Sequence, residues 1–328
     1  MSVRILQGDC RDVLKTLPDE SVHCVVTSPP YFGLRDYGVD GQIGLEDSPQ
    51  AFVATMVEVF EEVRRVLRSD GTCWLNIGDS YAGSWGAQSR PQGPSGEMAD
   101  RSVISARQIR AHPRFEGKTG TVGAEWGLKP KDLMLVPFRL ALALQAAGWW
   151  VRQDIIWHKP NPMPESILDR CTKAHEYLFL LAKSERYYYD AKAIAEPAIH
   201  AGETVALGAK SLSKGQAAGM NVKASGNGTA DSVLVGDTRN KRSVWTVTTK
   251  AYTEAHFATF PTALIEPCIL AGCPVGGLVL DPFGGAGTTG LVADRLGRDA
   301  ILIELNPEYA AMAKRRIQGD SPLFAEVA

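Results

Sequence analysis

The sequence lacks a Cys-x-x-Cys pair: its six cysteines, at positions 10, 24, 73, 171, 268 and 273, are scattered. That spacing argues against structural zinc and against a disulfide framework, and no other metal site is apparent. Cys24 and Cys73 sit in apolar, strand-like runs, where cysteine behaves as a small hydrophobe. There is no apolar run long enough to cross a bilayer. Residues 1–6 give way at once to Gln7-Gly8-Asp9, which is not the pattern of a secretory leader. The expectation is a cytoplasmic protein with no membrane partner. An internal repeat is missing too, as is a strong charge of either sign: the formal net charge is −2. That charge is unevenly spread. Residues 84–131 hold eight Lys/Arg against four Asp/Glu, and residues 191–245 seven against four, so the remainder is acidic. Two basic inserts on an acidic body suit a nucleic-acid partner, although two solvated basic loops would read the same way.

Apolar residues make up 45% of the 328, enough for one large α/β domain with an insert, or for two domains. The pattern is clearest near the C-terminus. Residues 278–280 read as a buried strand that ends in Asp281-Pro282-Phe283-Gly284-Gly285-Ala286-Gly287-Thr288-Thr289-Gly290. A helix over 291–296, a strand over 300–303 ending at Glu304, and a helix over 307–317 with Pro307 at its first position follow. This is half of a nucleotide-binding α/β unit, and one such half cannot cover both faces of a parallel sheet. The missing elements are expected upstream. They are strands at 3–7, 22–26, 72–77 and 149–157, helices at 10–17, 51–67 (stopped by Gly71) and 133–147 (stopped by Gly148), and a strand pair at 177–182 and 187–189. Residues 80–128 and 198–240, rich in glycine and small or basic residues, read as long loops or mobile lobes, of a length that is usually either functional or disordered.

Gly285-x-Gly287-x-x-Gly290 matches a dinucleotide fingerprint, with Glu304 nineteen residues after Gly285. Glycines let the backbone turn sharply and let a ligand approach it, and an acid on the next strand can accept from both ribose hydroxyls. The pattern points to an adenosine-containing cofactor; a glycine turn that only packs helix on strand is the plain alternative. Asp281, ahead of the glycines, would repel a pyrophosphate but can pair with the ammonium of a methionine moiety. That favours S-adenosylmethionine over NAD.

Residues 23–26 run into Thr27-Ser28-Pro29-Pro30-Tyr31. Ligands of open α/β sheets bind beyond the carboxyl ends of strands. Two prolines fix two φ angles and remove two N–H donors, so neighbouring carbonyls can be aimed at a ligand. An exocyclic amino group is a poor nucleophile because its lone pair is delocalised into the ring. Acceptors at its two hydrogens stabilise the charge that develops as it attacks a methyl group. Ser28 hydroxyl and Pro29 carbonyl are the candidates, Pro30 stiffens the turn, and Tyr31 is placed to stack on a base extruded from its duplex. The alternative is a stiff strand-to-loop turn with an exposed tyrosine. No Pro-Cys dipeptide stands in a catalytic context, so direct transfer is expected, without a cysteine adduct.

Together, Val26-Thr27-Ser28-Pro29-Pro30-Tyr31 and the 281–290 loop resemble the catalytic and cofactor motifs of the amino-group DNA methyltransferases, cytosine-N4 or adenine-N6. The catalytic motif comes first, as in the permuted beta group seen in phages, prophages and bacterial modification systems. The resemblance covers most of the chain. It implies a Rossmann-like, circularly permuted α/β methyltransferase fold with basic target-recognition inserts, S-adenosyl-L-methionine as cofactor and double-stranded DNA as partner, in a bacterial or phage-infected cytoplasm. A homodimer is left open. It divides the chain into a catalytic half (1–83), a basic insert (84–130), base-pocket strands (131–197), a target-recognition lobe (198–245) and a cofactor-binding half (246–328). By the same resemblance Asp9, Thr27, His256, Phe257, Thr259, Phe260, Asp281, Pro282, Phe283, Gly285, Gly287, Thr288, Thr289 and Glu304 border the cofactor. Trp157, His158, Lys159 and Asn161 line the base pocket or meet DNA. Several residues of this segment and the next have a structural alternative: Trp157 as core, His158 and His175 as ordinary histidines, Asp154 as a strand end, Asn161 as a turn residue between prolines. Serine before Pro-Pro-Tyr resembles cytosine-N4 enzymes more than adenine-N6 ones, which favours cytosine. An RNA or protein methyltransferase, an NAD-dependent oxidoreductase and a catalytically dead DNA-binding protein are the competing readings.

Overall fold

A computed structural model describes residues 1–34, 37–82, 127–129, 131–206, 232–234, 236–249, 260–320 and 326–327. The chain divides into two compact units, Met1–Tyr188 with Val244–Ala328, and Tyr189–Ser243. Among the described residues no helix is long and apolar enough to cross a membrane.

The larger unit is built on β1 (Ser2–Gln7), β2 (Val22–Thr27), β3 (Leu67–Ile77), β4 (Trp150–His158) and β5 (His175–Ala182). The smaller unit supplies β6 (Glu196–Pro197) to β9 (Thr238–Arg239), with β7 (Thr204–Ala206) and β8 (Ser232–Leu234) between, as two antiparallel pairs, β6–β9 and β7–β8. The larger unit resumes with β10 (Val244–Thr246), β11 (Leu278–Asp281), β12 (Asp299–Glu304) and β13 (Glu326–Val327). Its nine-stranded sheet runs β10-β4-β5-β3-β2-β11-β12-β1-β13. Only β5 is antiparallel to its neighbours. The C-terminal half-unit is therefore completed by N-terminal strands, with β11 against β2 and β12 against β1.

Strand side chains alternate between faces, and the sheet uses this to bury both. Val25, Cys73, Leu75 and Ile77 join one core with α2 (Pro49–Val66) and with α3 (Val136–Ala146), α1 being the short turn Cys10–Val13. Cys24, Thr72 and Trp74 face α4 (Thr262–Gly272), so closely that a Cβ on Gly272 would lie 2.5 Å from the Thr72 hydroxyl. In α2 the Ser48 hydroxyl caps Ala51 N–H at 3.0 Å, Pro49 occupies the first turn, and Phe52, Met56, Val59, Phe60, Val63 and Val66 form the buried stripe. Helices α5 (Thr288–Arg295) and α6 (Pro307–Asp320) follow β11 and β12.

Two expectations fail. Gly71 does not stop the α2 helix: α2 ends at Val66, and β3 begins at Leu67 and passes through Gly71. There the glycine is needed for close approach, because a Cβ would meet the Leu67 side chain at 2.6 Å and the His23 carbonyl at 3.0 Å. Residues 187–189 form no strand. Both edges of β5 are already hydrogen-bonded, to β3 and β4, so no ladder position remains for them.

Candidate active site

The carboxyl ends of β1, β2, β3, β4, β11 and β12 and the start of the antiparallel β5 lie along one edge of the sheet, where ligands of open α/β folds bind. A cavity of about 620 Å³ opens there. One wall comes from the turn after β2 (Ser28, Pro29, Pro30, Tyr31), one from the turn after β11 (Pro282, Phe283, Gly285, Thr288), and another from Glu304, Leu305, Asn306 and Tyr309. Asp9, Trp157, Lys159, Asn161 and Phe260 also line it. Thus residues far apart in the chain converge on one space.

The pairing of β2 stops at Thr27, opposite Leu75 of β3, so the ladder does not continue into Ser28-Pro29-Pro30. Ser28 Oγ donates to Asn76 Oδ1 at 3.3 Å. The Tyr31 hydroxyl donates to Glu176 Oε2 at 2.7 Å, with Asn76 Oδ1 at 3.3 Å. Burial, and then the Glu176 charge, hold the Tyr31 phenol well above its ordinary value. Its ring rests on Gly78, where a Cβ would stand 2.4 Å from a ring carbon. Glu176 is also paired with Lys159, whose ammonium lies 4.3 Å from the centroid of the Trp157 ring. Trp157 donates from its indole to Val247 O at 2.8 Å. Asn161 makes a two-way amide clamp on Thr249, 3.0 Å to its N–H and 3.2 Å to its carbonyl. His158, the last residue of β4, alternates away from Trp157 and meets the Thr246 hydroxyl at 3.1 Å; it does not line the cavity.

On the glycine-loop side, Glu304 accepts from Gly285 N–H at 2.7 Å through one oxygen and from Asn306 N–H at 2.8 Å through the other. Each oxygen keeps a lone pair for a further donor, which suits a vicinal diol. Burial raises this carboxyl above its ordinary value. Asp9 is held below its ordinary value by the hydrogen-bonded Arg11 guanidinium. Asp281, Thr27, Thr289 and Gly287 are not in the wall. Asp281 is only 1% exposed and takes three donors: Thr27 Oγ1 at 2.7 Å, Thr289 Oγ1 at 2.6 Å and Phe283 N–H at 3.0 Å. Burial nonetheless pushes its carboxyl up to about 6. Gly287 adopts φ +76° at the start of α5, where a Cβ would meet that of Ala313 at 2.8 Å. His256, Phe257 and Thr259 lie outside the described residues, as do most of the 84–130 insert and the centre of the 198–245 lobe.

Asn76 and Glu176 are the site residues that motif reading passed over. The available signal was a polar side chain in the apolar run Trp74-Leu75-Asn76-Ile77, which is unexpected in a buried strand without a task. Glu176 carried no such signal, because its place beside Tyr31 depends on β5 running antiparallel to β3.

A family model described as DNA methylase, of the N6/N4 type, matches residues 22–315. The chain is 44% identical over 324 residues to the Type II methyltransferase M.Cfr9I of Citrobacter freundii, spanning 99% of this chain and 90% of that one. It is 45% identical over 316 residues to the Type II methyltransferase M.SmaI of Serratia marcescens, spanning 96% and 91%. Among solved structures, the cytosine-N4-specific PvuII DNA methyltransferase superposes with a TM-score of 0.60 at 19% identity, over 95% of this chain and 85% of that one. A Thermus thermophilus chain assigned as a DNA modification methylase, crystallised with S-adenosyl-L-methionine, gives 0.56 at 24% identity over 99% of both. At such identities the likeness is one of fold.

Proposed function

The chain belongs to the N6/N4 family of DNA methylases, and from that premise we propose that it transfers a methyl group from S-adenosyl-L-methionine to the N4 amino group of a cytosine flipped out of double-stranded DNA. The observation that carries this reading is the single cavity shared by Ser28-Pro29-Pro30-Tyr31 and by Glu304 with the 282–285 turn. The Type II designation of the relatives supports a place in a restriction–modification pair.

The residues suit the cofactor. Among the described residues the charged side chains of the wall are Asp9, Glu176 and Glu304 against Lys159 alone. Such a wall favours a cationic sulfonium ligand and opposes a pyrophosphate, which argues for S-adenosylmethionine over NAD. Glu304 would take the ribose hydroxyls on its two free lone pairs. Asp281 would act from beneath the wall, holding the 281–283 turn through Phe283 N–H and contributing negative potential. S-adenosylmethionine, when bound, supplies an electrophilic methyl group on sulfur. Ser28 hydroxyl and Pro29 carbonyl would accept from the two amino hydrogens of the base, drawing the nitrogen towards the tetrahedral geometry of attack. Tyr31 would offer its ring to the base. A neutral hydroxyl at position 28, with the neutral Asn76 amide behind it, is the basis for choosing cytosine.

The test is incubation with duplex DNA and methyl-labelled S-adenosylmethionine, followed by digestion to nucleosides. N4-methylcytosine is the expected product. N6-methyladenine alone would overturn the choice of base. Absence of both across diverse DNA, or label only in RNA or protein, would overturn the reading as a whole.

A further inference from the structure

We infer that Asn76 is a positioning residue for methyl transfer, which turns the Ser28 hydroxyl so that its oxygen faces the base amino group solely as an acceptor. The inference rests on the amino-methylation reading above and deepens it.

Asn76 is 2% exposed, at the carboxyl end of β3 beside the Ser28 turn. An amide can be placed either way round, and its partners decide. Here Nδ2 donates to the Tyr177 carbonyl at 3.1 Å; the reverse placement would set two carbonyl oxygens against each other. Oδ1 must then face Ser28 and Tyr31, and it accepts from Ser28 Oγ at 3.3 Å. The Tyr31 hydroxyl has its shorter bond to Glu176, so it does not compete strongly for that oxygen.

A hydroxyl carries one proton and two lone pairs. With its proton given to Asn76, Ser28 has only lone pairs left for the substrate. A freely rotating hydroxyl would spend part of its time donating to the attacking nitrogen, occupying the lone pair that must form the new bond. Asn76 removes that conformer before the substrate arrives, which is preorganisation of the transition-state acceptor. As a neutral amide it takes no proton from Ser28, so the serine stays a hydroxyl throughout. As the N4–CH3 bond forms the S–CH3 bond breaks, the sulfur leaves as the neutral thioether of S-adenosylhomocysteine, and the proton shed by the methylated nitrogen passes to water rather than to this pair.

The experiment is a double-mutant cycle between Asn76→Leu and Ser28→Ala, in single turnover for the transfer rate and in steady state for the KM, with the whole chain on a methylatable duplex and S-adenosylmethionine affinity measured separately by calorimetry. Asn76→Ala is carried in parallel, so that misfolding of one variant leaves the other to read. Asn76→Leu is expected to lower the transfer rate about 100-fold. Its KM for DNA and its cofactor affinity should stay within about twofold. In the Ser28→Ala background the same substitution should have no further effect, because its target is already gone. Full additivity, or a loss confined to KM or cofactor binding, would overturn the inference. If the wild-type chain methylates no base amino group at all, the functional reading fails instead, and the two failures are thereby told apart.

Discussion

The Thr27 hydroxyl donates to the buried Asp281 carboxylate at 2.7 Å, across 254 residues of sequence. Thr27 ends β2 and Asp281 ends β11, two parallel neighbours in the sheet. This bond joins the Ser-Pro-Pro-Tyr turn to the glycine loop at the point where the two halves of the cavity meet.

Replacing Thr27 by valine keeps the shape and removes the donor. A hydrogen bond to a buried charged acceptor is worth about 1.5–3 kcal/mol. Urea unfolding of Thr27→Val should show a loss of that order, and Thr27→Ser should recover most of it. Equal midpoints for Thr27→Val and wild type would show that the bond does not hold the halves together.

Asp281 gives the stability a pH signature. Its carboxyl rises from 3.8 to about 6 on folding because burial penalises the charged form. A group raised in this way contributes stability that is full below its unfolded value and is lost as pH rises through its folded value. The stability of wild type minus that of Asp281→Asn should therefore fall between about pH 4 and about pH 6.5, by at most about 3 kcal/mol. A difference that stays flat, or that grows with pH, would contradict the assignment.

Glu304→Ala removes the acceptor of Gly285 and Asn306 N–H groups and of the ribose hydroxyls proposed to bind there. Calorimetry should find S-adenosylmethionine binding weakened by about tenfold or more, equivalent to about 1.4 kcal/mol. Unchanged affinity would move the ribose elsewhere in the cavity.

Gly78→Ala would place a methyl group 2.4 Å from a carbon of the Tyr31 ring. Overpacking of this kind costs about 1–3 kcal/mol, and transfer should slow as the ring is displaced. In a Tyr31→Ala background the stability cost of Gly78→Ala should nearly vanish, since the clash has lost one partner. A cost that persists would place the strain in the backbone.

Much of this fold was legible in the chain because its elements carry their own periodicity. The stripe from Phe52 to Val66 specifies an amphipathic helix, and the run from Val22 to Val26 a buried strand, from local spacing alone. Thr27-Ser28-Pro29-Pro30-Tyr31 and the 281–290 loop were readable for the same reason: proline and glycine act on the backbone where they stand. Gly71 misled because a glycine needed for close approach and a glycine that ends a helix look the same until the neighbouring strand is present.

What the sequence by itself determined is therefore the set of local conformations and the chemistry available at two separate turns. Only the tertiary structure decided that these turns share a cavity, that Asp281 lies beneath its wall, bound by Thr27 and Thr289, and that Asn76 and Glu176 stand behind Ser28 and Tyr31. Those relationships follow from strand order. Parallel and antiparallel pairing brings residues hundreds of positions apart within hydrogen-bond reach, and no local spacing records which strands will be neighbours.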